Sequence, residues 1–475
     1  LDPLNISIPV KGSNFVSKFP EEITLPGSTD QAGKGFKTQD MSSLRLTRMF
    51  EYSGAAWYEK ENIFIPESWK DQQLFLFLER VHWESQVWIN GKFVGKEESL
   101  STPHLYDITS CVKFGDWNTV RIRVDNGNIH DIAYTHAISA ETQTNWNGII
   151  GRMEIQAVSK VHIADVQIYP LQKEKRLKIV AQIANYSNLP VKGDIRINCH
   201  FLNDSQDLHL KEKNTTFDSS DSLIHLVHYY DLGDKLYTWD EFEPNLYKIE
   251  YEIKCCGKSD VRKIKFGIRD FGTKGTHFTI NDIPTFIRGA VNSCEFPITG
   301  YPPMGYEEWK KVMNVYKDYG LNCIRFHSWC PPESAFQVAD ELGLYLQVEN
   351  SDWRFTVGED EATNAFYLDE AQRIFKEYGN HPSFAFFCEG NELVGKGCVD
   401  FLKEMLTEWK KDSRHLYVAA SGYPTVGGSD FFDFYGARPQ RWQEGLKGRF
   451  NSQPLNTRYD YIDYVKKFSI PMVTH

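Results

Sequence analysis

Long apolar runs are missing from these 475 residues. None approaches the roughly 18 apolar residues that a membrane-spanning helix requires, so a soluble protein is expected. Positive charge is also in short supply: 53 Lys and Arg against 64 Asp and Glu leave a formal net charge of -11. That excludes a broad basic face able to release counterions from nucleic acid. Nine cysteines lie scattered, two of them adjacent (Cys255 and Cys256), and no Cys-x-x-Cys occurs. Neither a zinc knuckle nor a dense disulfide framework is expected. An initiator Met is absent, Leu1 standing first. A processed product is expected, its signal peptide presumed removed, in a periplasmic or secreted setting.

Aromatic residues are plentiful at 14%, with 12 Trp and 24 Tyr. Such rings stack on the apolar C–H faces of sugars, although aromatic cores in β-rich domains produce the same composition. At this length two to four domains are expected.

The chain changes rhythm twice. Residues 1–165 read as all-β, with short strands at Leu74–Leu78, Gln86–Ile89 and Thr119–Val124. Asn90-Gly91 between apolar runs is a hairpin signal, since both positions tolerate positive φ. A sandwich or jelly roll follows. Residues 166–268 alternate again, as in Lys178–Ile183 and Asp194–Asn198, over the length of an immunoglobulin-like β-sandwich. From residue 269 strands and helices alternate. Trp309, Val312, Met313 and Tyr316 share one helical face. Pro332 opens a second helix that Gly343 ends, and a third runs to Tyr378. With Thr285–Ile287 taken as the first, seven parallel strands can be counted to Ile470–Val473. That is a TIM barrel lacking its eighth strand.

In such a barrel chemistry sits at the C-terminal ends of the strands. Those ends carry Arg325 and His327, Glu349, Glu389, Asn391 and Glu392, Tyr435 and His475. Acids, an amide and imidazoles without a metal cluster suit glycoside hydrolysis, which needs one carboxyl as proton donor and a second as nucleophile or base. Glu392 follows the apolar strand Phe384-Ala385-Phe386-Phe387, where desolvation would keep a carboxyl protonated. Asn391 and His327 are candidates for sugar hydroxyls. Glu349 could bind a hydroxyl or form a buried ion pair with Arg325. Glu389 lies too near Glu392 in sequence to form the opposite wall. Asp352, Glu359 and Asp360 fit that place poorly.

These residues resemble a known family. Asn380-His381-Pro382-Ser383 followed by Gly390-Asn391-Glu392 is similar to a signature of glycoside hydrolase family 2, which includes β-galactosidases, β-glucuronidases and β-mannosidases. Trp57-Tyr58, Val87–Gly91 and Trp146–Ile149 resemble its N-terminal sugar-binding jelly roll. Phe266–Arg269, Asn281 and Arg288-Gly289 resemble its approach to the barrel. The resemblance implies three units: a jelly-roll sugar-binding domain (1–165), an immunoglobulin-like β-sandwich (166–268) and a TIM-barrel catalytic domain (269–475). It implies that Glu392 is the acid/base and that Asn391 contacts the sugar 2-hydroxyl. Arg325 supports the site, and Tyr435 contacts the nucleophile. It implies no cofactor, although the position of Glu349 binds magnesium in some members. A homo-oligomer is implied too.

Two segments depart from the family pattern, Ala290–Cys294 and Arg325–Pro332, and both touch sugar-binding loops. Pro471–His475 resembles the strand leading directly into the nucleophilic glutamate, so truncation just before that residue is expected. The expected function is retaining, exo-acting hydrolysis of a terminal β-linked sugar, with a β-galactoside leading. A β-glucuronide, β-mannoside or α-L-arabinopyranoside is the alternative specificity, and a carbohydrate-binding protein without turnover is the other class.

Overall fold

The computed structural model describes residues 19, 21–39, 48–132, 134–138, 144–202, 208, 210–434 and 466–474. The chain begins with two facing four-stranded antiparallel sheets. One orders Gly27–Ser28, Gly148–Ser159, Gln72–His82 and His104–Asp107. The other orders Ala55–Ile65, Asp116–Asp125, Glu84–Ile89 and Lys92–Glu98. Leu76, Leu78, Val87, Ile89, Ile122 and Val124 fill the space between them, each strand placing alternate residues inward. Asn90 and Gly91 both take positive φ, 52° and 78°, and turn the predicted hairpin.

A second sandwich follows, of three and four antiparallel strands around Ile179, Ile183, Ile195, Ile197, Tyr247 and Tyr251. Its first strand, Val161–Leu171, runs straight through the boundary expected at 165/166. The second unit therefore starts at Val161. The joint is the single bend at Lys160, between strands ending at Ser159 and starting at Val161, without the glycine or proline that would mark a linker.

The third region alternates parallel strands with helices. Strands Gly289–Asn292, Cys323–Phe326, Tyr345–Asp352, Phe384–Gly390 and Leu416–Val418 pair in that order. Ser421–Gly422 then continues the fifth strand's course, and Phe432–Phe434 and Met472–Thr474 add the sixth and seventh. The first strand thus differs from the expected Thr285–Ile287. Ile283–Thr285 instead closes an antiparallel meander with Phe271–Lys274 and His277–Ile280. Phe271 and Phe278 of that meander pack on Tyr345, Phe386 and Phe431, plugging the N-terminal end of the parallel strands.

The helices Tyr306–Asp318, Glu333–Leu342, Glu361–Tyr378 and Cys398–Trp409 lie between consecutive strands. Gly343 ends the second of them at φ 69°, the left-handed cap that glycine adopts without penalty. The first sandwich joins the same apolar core: Trp83 and Leu100 pack with Phe366, Tyr367 and Tyr378.

The Asn380-His381-Pro382-Ser383 segment lies at the opposite end from the expected chemistry and works as a staple. Asn380 Oδ1 accepts from Ile168 N at 2.8 Å while its Nδ2 donates to Val166 O at 2.9 Å. Arg269 donates to Pro382 O and Phe384 O at 2.5 and 2.7 Å. Gly267 is needed here, because a Cβ would lie 2.8 Å from both Pro382 Cβ and Trp239 Cβ. A cavity of about 300 Å³ lies in this joint, lined by Tyr169, Arg269, Asn380, His381 and Arg414; it is far in the fold from the strand ends that carry the candidate acids.

His381 Nδ1 sits 2.6 Å from Asp340 Oδ2. Burial acts to lower its pKa, but the Asp340 carboxylate overcomes this and raises it above the ordinary value. A histidine raised on folding contributes stability that is complete below its unfolded pKa of about 6.5 and lost as pH rises through its folded value. The unfolding free energy of the native protein should therefore exceed that of His381→Gln most at acid pH, with the gap narrowing as pH rises. Urea titrations across that range would measure it, and a pH-independent gap would show that the pair does not carry the effect.

Candidate active site

Pleating decides which strand-end residues can meet. In the third parallel strand Tyr345 packs on the inner face of the sheet with Phe386, Cys388 and Val418. Leu346 and Val348 point out to the helices with Phe387. By the same alternation Gln347 and Glu349 face inward and Asn350 outward.

The inward residues form one hydrogen-bonded network. Arg325 Nε lies 2.6 Å from Glu349 Oε1, and its Nη2 donates to Asn391 Oδ1 at 2.9 Å. Asp433 Oδ2 lies 3.6 Å from the same Nε. Glu349 Oε2 accepts from Ser328 N at 2.6 Å. Gln347 Nε2 donates to Asp433 Oδ2 at 2.9 Å, and the Ser421 hydroxyl lies 2.8 Å from Glu349 and 2.6 Å from Asp433. Burial acts to lower the Arg325 pKa, yet Glu349 and Asp433 push it above its ordinary value, so the guanidinium is charged. Arg325 Nη1 is buried without a hydrogen-bond partner among the described residues.

Asn391 and Glu392 cap the fourth strand above this network. Asn391 N donates to Asp352 O at 3.0 Å and Glu392 N to Ser421 O at 2.8 Å. Gly390 has to be glycine, because a Cβ there would meet Asp352 O at 2.1 Å. Glu392 itself takes φ 49°, a left-handed conformation that costs a non-glycine residue about 1–2 kcal/mol. Strain of this kind gathers at functional sites. Its side chain is partly exposed, whereas Glu349 and Glu389 are fully buried.

Glu389 points the other way, toward the helices. Asn350 Nδ2 donates to its Oε2 at 2.7 Å, and Asp352 and Arg354 lie beside it. Burial pushes its pKa well above the usual carboxylate range, and the neighbouring Asp352 carboxyl adds to that. Asp352 is held by Arg354 Nε at 2.9 Å. Neither acid opens on the mouth.

The His327 ring lies against a wall that the first sandwich supplies. Thr135 Oγ1 donates to Ser328 O at 2.7 Å and His136 N to Ser328 Oγ at 3.0 Å. The His136 ring then stacks on His327 with centroids 4.4 Å apart, and Trp353 closes on His327 at 4.9 Å. Burial, assisted by the charge of Arg325, lowers the His136 pKa to about 4, so its imidazole is neutral near pH 7.

Arg325, Glu349, Asn391 and Glu392 are thus brought together, with His327 beside them. Tyr435 lies outside the described residues, as does His475. Asp433, Ser421, Gln347 and His136 were not singled out from the sequence. An acid inside Phe432-Asp433-Phe434 was a usable signal; nothing local marks His136.

A family model described as glycosyl hydrolases family 2 matches residues 161–269. A β-galactosidase of Priestia megaterium is 26% identical over 378 residues, covering 74% of this chain and 35% of the relative. A β-glucuronidase of Bacteroides fragilis is 23% identical over 379 residues, covering 74% of this chain and 52% of the relative. Among solved structures, a Bacteroides uniformis β-glucuronidase superposes with a TM-score of 0.74 at 18% identity, over 90% of this chain and 54% of that one. The match over residues 161–269 and the similarity to these relatives support a member of glycosyl hydrolase family 2.

The chain spans about a third to a half of the two curated relatives' lengths. The residues present do not suit the magnesium that the family resemblance raised at Glu349. Both oxygens of Glu349 are occupied by Arg325, Ser328 N and Ser421, and a guanidinium stands where a cation would sit. Among the described residues no three His, Cys, Asp or Glu side chains cluster as metal ligands, and no helix is long and apolar enough to cross a membrane.

Proposed function

We propose that the protein carrying this chain is a retaining exo-β-glycosidase in which Glu392 is the general acid/base. The observation that carries this is the strained Asn391-Glu392 turn, tied by backbone to the third and fifth strands and by Asn391 Oδ1 to the buried Arg325. Such anchoring holds a carboxyl within reach of a glycosidic oxygen. Glu392 protonates the leaving oxygen while a glutamate following the seventh strand attacks C1. Glu392 then takes the proton of the water that releases the sugar. Asn391 binds the 2-hydroxyl, His327 another hydroxyl, and Arg325, held by Glu349, keeps one donor for the substrate side. The two sandwiches serve as the jelly-roll and immunoglobulin-like units, and the parallel strands as the wall of a (β/α) barrel.

One guanidinium faces two carboxyl groups at the floor of this site, Glu349 and Asp433. A neutral hexose fits that balance better than a uronic acid, so a terminal β-galactoside is the proposed substrate. The full-length protein should hydrolyse nitrophenyl β-galactoside faster than the β-glucuronide. Proton NMR of the first-formed sugar should show the β-anomer. Release of the α-anomer would refute retention, and preference for the glucuronide would refute the neutral-sugar reading.

A further inference from the structure

On the loop hydrogen-bonded to that of the candidate acid, and against it, stands a group of aromatic rings, Tyr134, Trp353 and Phe355, that the steps above do not use. Tyr134, from the first sandwich, sets its ring edge-on to Trp353 and Phe355 of the loop after the third strand, at 6.4 and 5.9 Å and 73° and 69°. Trp353 in turn closes on the stacked His136 and His327. Tyr134 and Phe355 are 58% and 48% exposed. The loop bearing Trp353 and Phe355 is laced to the loop bearing Glu392: Val394 N donates to Arg354 O at 3.2 Å and Val357 N to Val394 O at 2.9 Å.

From these contacts we infer that Tyr134 and Phe355 form a subsite for the leaving group, taking the apolar face of a second sugar ring. The inference rests on Glu392 being the proton donor. A proton donor stands beside the leaving oxygen, so whatever that oxygen carries must emerge next to the loop of Glu392 and the loop laced to it. Exposed faces of edge-braced rings at that place suit the C–H face of a pyranose. The neutral His136 behind them adds no charge that a sugar would have to desolvate. Two separate parts of the chain build the platform, and neither Tyr134 nor Phe355 is among the residues proposed to hold the terminal sugar.

The test is binding of an S-linked β-disaccharide, which resists hydrolysis, to the full-length protein, its terminal sugar being the one the nitrophenyl panel selects. Calorimetry would compare it with the free monosaccharide. Tyr134→Ala and Phe355→Ala should each lower the ratio of disaccharide to monosaccharide affinity by about three- to tenfold, while Tyr134→Phe and Phe355→Tyr keep it. An unchanged ratio in both alanine variants overturns the subsite, as does failure of the disaccharide to bind at all. A loss seen with an aryl thioglycoside but not with the disaccharide overturns the sugar assignment. Because no ligand is turned over, an error about the catalytic role of Glu392 would show in the turnover of Glu392→Gln and not in these affinities.

Discussion

Replacing Glu392 by Gln in the full-length protein should lower kcat/KM on unactivated β-glycosides by about two to four orders of magnitude, the usual contribution of a positioned general acid. The substitution keeps the size of a partly exposed side chain, so folding should be spared. The loss should depend on the leaving group. A dinitrophenolate departs without a proton and its release should be far less affected, whereas an alcohol or sugar leaving group should lose nearly everything. Plotting kcat/KM of wild type and variant against leaving-group pKa measures this directly. A steep slope should appear only in the variant. Equal losses for all leaving groups would remove Glu392 from the acid role and leave it at most a binding residue.

The second large effect is on stability. Glu349 is fully buried and accepts from Arg325, Ser328 N, Gln347 and Ser421. Cutting it to Ala strands the Arg325 guanidinium with Asp433 at 3.6 Å and deprives Ser328 N of its acceptor. Breaking a buried pair by removing one partner costs about 3–5 kcal/mol, since the survivor remains out of water. That is a large part of the roughly 5–15 kcal/mol that holds a domain folded. Urea unfolding of Glu349→Ala should show a loss of that size. If the protein does not accumulate, Glu349→Gln serves in its place. It retains polar contacts and should lose less, yet activity should still fall, because Arg325 then holds Asn391 less firmly. A change in stability below about 1 kcal/mol for the alanine variant would mean that Asp433 alone satisfies the guanidinium.

Much of this was legible from residues alone, for identifiable reasons. Runs such as Phe384–Phe387 and stops such as Gly343 are local signals, and they marked the parallel strands and helices in order. The rule that chemistry gathers at strand ends singled out Arg325, Glu349, Asn391 and Glu392, which the fold then brought together. The first parallel strand was misplaced because Gly289-Ala290-Val291-Asn292 has little strand propensity of its own. Its identity comes from pairing with Cys323–Phe326. The fate of Glu389 turned on pleat parity, which a one-residue change of register would have reversed. His136 was invisible because its partner His327 lies nearly two hundred positions away, and only tertiary packing relates them.

The clasp of Thr135 and His136 on Ser328 bears on how such proteins diverge. The wall against His327 belongs to a polypeptide segment encoded far upstream of the strands that carry Arg325, Glu349 and Asn391. An exchange of gene segments that separated the two would leave the strand-end network intact but set another protein's wall against His327. Chimaeras joined between the two segments should therefore combine the strand-end network of one parent with the His327 wall of the other.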